Sequence, residues 1–179
     1  MSSSDWSWDC NTPTNSTAAD GSMKEPDESP KLHCFTINGG INDVPEPNGV
    51  YMIRDLISQK AITLVDGHVT LLRDAGTQGG WHWKFEERSD LYVGFRNTVS
   101  GKYLGRDNKG GFCALYGKLD GWESFQLRHR QSGGYNLLGK DRSVMRAMAI
   151  IDDESIPTPK LVECMDMEKA ARWEFVKVG

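Results

Sequence analysis

Between Gly49 and the C-terminus, apolar positions come in short runs rich in β-branched and aromatic residues. Turn-forming pairs break these runs at intervals of about 8–12 residues, which is the mark of an all-β barrel or sandwich. Val50–Arg54, Ala61–Val65 and Val69–Leu72 are expected strands. Asp66-Gly67 makes the tight turn between the last two, since these residue types accept the positive φ that a two-residue hairpin demands. Trp81–Glu86 is the next expected strand, and the series then restarts. Leu91–Phe95, Lys102–Leu104, Phe112–Tyr116 and Phe125–Arg128 are separated by Ser100-Gly101, Asn108–Gly111 and Asp120-Gly121. A weaker third series comprises Tyr135–Leu138, Val144–Ala149, Leu161–Cys164 and Trp173–Val178. No window carries a helical apolar stripe of any length, and Met165–Arg172 is expected to make one short turn.

The restarts have a period. Tyr51, Tyr92 and Tyr135 open the three series, 41 and 43 residues apart. Trp83-Lys84-Phe85, Phe125-Gln126-Leu127 and Trp173-Glu174-Phe175 close them, 42 and 48 residues apart. A propeller needs at least one more copy, and an up-and-down barrel does not call for threefold self-similarity. The expectation is a β-trefoil: twelve strands in three four-strand repeats, forming a six-stranded barrel plus a hairpin cap.

Residues 1–47 read differently. The first 31 are rich in Ser, Thr, Asn, Asp, Gly and Pro and cannot bury enough apolar surface to offset ordering, so a disordered N-terminal tail is expected. Residues 32–37 are expected to add a short strand, and Trp6 and Trp8 offer a docking motif within the tail. Residues 1–47 carry eight acids against Lys24 and Lys31, a net charge of −6. The whole chain is −4, so the trefoil domain assigned to residues 48–179 carries about +2, too little for a nucleic-acid surface. The N-terminus has no basic and apolar leader and no run is long enough to span a bilayer, so a cytoplasmic location without membrane insertion is expected. Cys10, Cys34, Cys113 and Cys164 lack metal-ligand spacing and are expected as free thiols.

Candidate chemistry is sparse. The four histidines, His33, His68, His82 and His129, form no ligand set with carboxylates, and no nucleophile elbow or phosphate-binding loop is present. No catalytic residue, metal or cofactor is assigned. Alternation sends Trp81, Trp83 and Phe85 to one face, with Trp81 expected at the rim beside His82. Asp120 and Trp122 occupy a similar rim position in the second repeat, and His129 lies between Arg128 and Arg130 in a small basic cluster. Exposed Trp beside Asp or His is the material of a sugar platform or small-molecule pocket. Trp81, His82, Asp120, Trp122 and His129 are therefore the candidate ligand-binding residues.

Ser100-Gly101-Lys102-Tyr103-Leu104-Gly105, followed by Asp120-Gly121-Trp122-Glu123-Ser124-Phe125, resembles a repeat of the fascin-like, actin-crosslinking β-trefoil families. Gly49-Val50-Tyr51-Met52-Ile53-Arg54 is similar to the opening strand of small trefoil lectins and trefoil protease inhibitors. Ricin-type repeats end in Gln-x-Trp, a triplet that none of the three repeats here contains. The resemblance implies fold more firmly than activity. The favoured expectation is a non-catalytic binding module that holds a glycan or a partner protein on the loops around Asp74–Trp81, Leu119–Trp122 and Asp152–Lys160. Two alternatives stand beside it. One is a cyclase or isomerase that folds a hydrophobic small molecule in a pocket lined by aromatic and Met residues. The other is a fascin-like actin binder.

Overall fold

The computed structural model describes residues 44–74, 76–153 and 155–178. The expected strand at 32–37 and the segment with Trp6 and Trp8 lie outside them. Twelve strands follow in order: β1 Val50–Asp55, β2 Ala61–Val65, β3 His68–Leu72, β4 Trp83–Glu87, β5 Val93–Asn97, β6 Tyr103–Arg106, β7 Phe112–Tyr116, β8 Phe125–His129, β9 Tyr135–Asp141, β10 Val144–Ile151, β11 Lys160–Cys164 and β12 Trp173–Lys177. Among the described residues no helix is long and apolar enough to cross a membrane.

Antiparallel pairing closes a ring, β1–β4–β5–β8–β9–β12 and back to β1. The remaining strands form three hairpins, β2–β3, β6–β7 and β10–β11. This is the β-trefoil: a six-stranded barrel with one hairpin contributed by each repeat. Asp66 and Gly67 turn the first hairpin with φ of 48° and 80°, the handedness that matches strand twist.

The register corrects the sequence reading in one respect. Tyr51 pairs with Trp83, Val93 with Phe125, and Tyr135 with Trp173. The second opener is thus Val93 and not Tyr92, and the openers fall at an even spacing of 42 residues. Tyr92 is only partly buried and takes the Lys140 ammonium over its ring at 5.5 Å. Leu91, expected to begin the strand, instead occupies the turn before it at φ 65°.

Three symmetric triplets fill the barrel. Ile53, Phe95 and Leu137 are completely buried, as are Trp83, Phe125 and Trp173, and Ile62, Leu104 and Met148. Phe95 stands at the centre, with ring centroids 5.8 Å from Phe85, 6.0 Å from Phe125 and 5.7 Å from Phe175. Each repeat supplies one member of every triplet, so no single repeat buries its own apolar face.

The domain begins earlier than residue 48. Pro45 is buried, and the Glu46 N–H donates to the Tyr51 hydroxyl oxygen at 2.8 Å. Lys177 reaches the Glu46 carboxylate at 2.9 Å, and the Asn48 N–H donates to the Phe85 carbonyl at 2.8 Å. Residues 44–47, assigned to the tail by their Pro and acid content, are attached to the barrel wall.

One charge cluster binds the second repeat to the third. Arg106 in β6 is buried where the symmetric positions hold Leu64 and Ile150. Its guanidinium pairs with Glu163 of β11, donates to the Lys140 carbonyl, and lies 3.3 Å from Asp141. Arg146 donates to Asp141 at 2.9 Å and stands 3.7 Å from Glu163. A Cβ at Gly139 would collide with the Arg106 stem, so the glycine in β9 makes room for it.

Candidate functional site

The loop between β7 and β8 is seated on two glycines. A side chain at Gly94 in β5 would collide with the Leu119 methyl groups. At Gly105 in β6 it would crowd the Glu123 side chain and the Trp122 carbonyl, at 3.0 and 3.2 Å. The positions equivalent to Gly105 are Thr63 and Ala149, which carry a Cβ, so this close approach is peculiar to the second repeat. Hydrogen bonds then fix the loop. The Arg106 N–H donates to the Trp122 carbonyl at 3.0 Å, the Ser124 hydroxyl donates to the Asp120 carbonyl at 2.5 Å, and the Asp120 N–H reaches the Glu123 carboxylate at 3.3 Å.

With its backbone held, the loop presents Trp122 outward, 47% exposed. Tyr116, Gly117, Lys118, Asp120, Gly121, Trp122 and Glu123 line an open concavity of about 850 Å³. Tyr116 and neighbouring Leu115 are exposed too, so the second repeat displays a local group of large apolar side chains. Burial pushes the Glu123 carboxyl up from its ordinary value, against hydrogen bonds from its own N–H and that of Asp120, and the Asp120 charge raises it further. Asp120 and Lys118 are exposed at the rim. The flat indole face suits a ring that presents polarised C–H bonds, and the rim groups suit hydroxyls.

The candidate residues separate into three places. Asp120 and Trp122 share the concavity just described. Trp81 is not an exposed platform: it is 5% exposed, and its indole Nε1 donates to the Gly76 carbonyl at 2.8 Å. Trp81, Trp83 and Phe85 do share one face, but all three are buried in the core or its cap. His82 is half-buried against Trp81, with ring centroids 3.9 Å apart, and burial lowers its pKa. His129 lies at the end of β8, with its ring 5.2 Å from Tyr135, in a separate concavity of about 430 Å³ lined by Arg128, His129, Arg130, Gln131 and Ser132.

Tyr116, Lys118 and Glu123 were not among the sequence candidates. Glu123 was legible as the residue after Trp122 in the repeat motif. Tyr116 was legible only as the end of a strand, because its exposure depends on where the hairpin stops. Near the Asp74–Trp81 loop, Asp66, Asp74, Gln78 and Asn97 help line a third concavity of about 520 Å³ without an exposed aromatic ring. Among the described residues no group of three His, Cys, Asp or Glu side chains is placed to hold a metal ion.

Solved structures with this architecture fit the fold. A designed threefold-symmetric protein, ThreeFoil, superposes with a TM-score of 0.60 at 17% identity, covering 72% of this chain and 98% of its own. The Macrolepiota procera ricin B-like lectin, solved with lactose, gives 0.59 at 12% identity over 75% of this chain and 99% of its own. The Polyporus squamosus lectin, bound to a sialylated influenza-binding epitope, gives 0.62 at 13% identity, and this chain spans 50% of its length. A mosquitocidal holotoxin gives 0.64 at 13% identity, with only 18% of its chain covered. These likenesses establish a β-trefoil fold. No protein-family model matches the chain, and no curated protein does.

Proposed function

We propose that this trefoil is a non-catalytic binding module that takes a glycan in the concavity between β7 and β8. One observation carries the reading: Trp122 is exposed beside Tyr116, Lys118 and Asp120, on a loop whose backbone is anchored to β5 and β6. The exposed indole beside Tyr116 offers an apolar face, and a sugar ring supplies both a matching apolar face and hydroxyls for the rim groups. The symmetric positions are Gly80 and Ala170, so the fold itself does not ask for tryptophan there. The lectin neighbours, two of them solved with sugars, support the same class of ligand.

The test is an immobilised-glycan array probed with the wild-type chain and with Trp122→Ala. Retention on a subset of glycans, lost in the variant while its melting temperature is kept, supports the reading. Retention that survives the substitution, or none on any glycan, contradicts it.

A fascin-like, actin-binding role is the second reading, because Asp120-Gly121-Trp122, which carries that resemblance, also lines the concavity. Co-sedimentation with filamentous actin separates the two. The small-molecule enzyme reading called for a pocket lined by Trp and Met. Met148 is sealed in the core, Met165 is exposed, and neither lines the concavities above, so the binding reading is preferred.

A further inference from the structure

The hairpins that open the second and third repeats are built alike and charged oppositely. The register that aligns Val93 with Tyr135 aligns Glu86, Glu87 and Arg88 with Arg128, His129 and Arg130. The fold therefore requires a turn at this place and does not dictate its charge. In the first instance two carboxylates precede the turn. In the second they are replaced by an arginine and a histidine, and no acid stands between Glu123 and Asp141.

The backbone of the basic hairpin is held by hydrogen bonds and close packing. The Arg130 N–H donates to the Gly134 carbonyl, and the Gly133 N–H donates to the Arg130 carbonyl, both at 2.9 Å. Gly133 and Gly134 take φ of 91° and 75°, and a Cβ at Gly134 would meet the Leu56 methyl and the Trp173 carbonyl. The His129 ring lies beside buried Tyr135. Arg172 adds a further cation by donating to the Ser132 hydroxyl at 3.2 Å. Among the described residues one counter-charge faces the group: Glu168, 3.6 Å from Arg130, with its own side chain exposed to water.

We infer that the concavity of about 430 Å³ walled by Arg128, His129, Arg130 and Ser132 is an anion site for the head of a phosphate monoester. A guanidinium presents paired donors that match two oxygens of a tetrahedral anion, and two such groups on one hydrogen-bonded turn can meet it together. A single carboxylate as free as that of Glu168 is displaced by a dianion at little cost. The site stands at the β8–β9 turn, and the Trp122 loop precedes β8, so the two sites lie at opposite ends of that strand. Neither depends on the other.

The probe is inorganic phosphate, titrated at constant ionic strength into the full chain with 15N-labelled arginine. The side-chain Nε–H resonances of Arg128 and Arg130 are expected to shift saturably, while Arg88 on the acidic hairpin stays in place. In Arg128→Gln the midpoint read at Arg130, and in Arg130→Gln the midpoint read at Arg128, is expected to move by about tenfold, the usual worth of a charge-assisted hydrogen bond. Arg128 is exposed and Arg130 partly so, so each variant should fold, and an unchanged melting temperature checks this. A second arm pellets phosphatidylcholine vesicles doped with phosphatidic acid. Arginine-dependent co-sedimentation assigns the phosphate to a lipid headgroup, and retention of phosphate binding without co-sedimentation assigns it to a soluble ester. Shifts that do not saturate, that appear equally at Arg88 and Arg96, or whose midpoint is unmoved in both single variants overturn the inference.

Discussion

Replacing Arg106 by methionine should destabilise the trefoil far more than its surface-charge neighbours would. Methionine keeps most of the stem that lies over Gly139 and removes only the guanidinium. What remains is Glu163, nearly buried, with Arg146 at 3.7 Å as its nearest cation. It also leaves the Lys140 carbonyl without its donor. Breaking a buried pair from one side costs about 3–5 kcal/mol because the surviving charge stays desolvated. The residual attraction of Arg146 places this case near the lower end, about 3 kcal/mol. For a domain of this size that is a fall in melting temperature of roughly 10 °C. In Arg106→Met/Glu163→Leu no unpaired charge is left, the Asp141–Arg146 pair at 2.9 Å persists, and stability should return to within about 1 kcal/mol of wild type. Urea denaturation of the three proteins, followed by tryptophan fluorescence, measures both differences. A single variant that loses less than about 1 kcal/mol, or a double variant no better than the single, would refute the argument. The cluster also adjoins the proposed site, since the backbone N–H of Arg106 donates to the Trp122 carbonyl.

Gly94→Ala should displace Leu119 and with it the loop that carries Trp122, weakening glycan retention without touching the ligand; an array signal equal to wild type would contradict this. Leu91→Gly should stabilise the fold by about 0.5–1 kcal/mol, because Leu91 is 75% exposed at φ 65°, a conformation that costs a side-chain-bearing residue and suits glycine. Thermal melting checks it. The Arg146 guanidinium hydrogen-bonded to Asp141, with Arg106 beside it, holds that carboxyl below its ordinary value. Its contribution is thus present above the unfolded carboxylate pKa near 3.9 and fades as pH falls through the lower folded value, so Asp141→Asn should show a flatter acid limb in a stability–pH profile.

Much of the barrel was legible because its residues obey period-two alternation and repeat. Trp83, Phe125 and Trp173 mark three identical corners, and Asp66-Gly67 fixes a turn by backbone preference alone. The errors have physical causes. Tyrosine at 51 and 135 points to Tyr92 as the second opener, yet it is Val93 that pairs with Phe125, as Tyr51 pairs with Trp83 and Tyr135 with Trp173. Trp81 looked like a rim residue because it extends the face of Trp83, but the loop from Gly76 folds back and gives its indole a carbonyl partner. Pro45 read as linker, although its ring is packed away and its neighbour Glu46 is held from both Tyr51 and Lys177. The Val93–Phe125 and Lys177–Glu46 contacts are distant in sequence. The Trp81–Gly76 and Glu46–Tyr51 bonds depend on the path of irregular loops, so period-two alternation encodes none of these contacts. Asp120 and Trp122 stand out as candidates by residue type, whereas the glycine seats beneath them emerge only from the packing.

The most direct measurement is the indole N–H spectrum of the 15N-tryptophan-labelled chain during titration with a glycan retained on the array. One cross-peak, that of Trp122, should move and saturate at one ligand per chain, while the sealed indoles of Trp83 and Trp173 hold still. Movement of other indoles with Trp122 unmoved would mean that the sugar sits elsewhere and that the exposed ring serves another purpose.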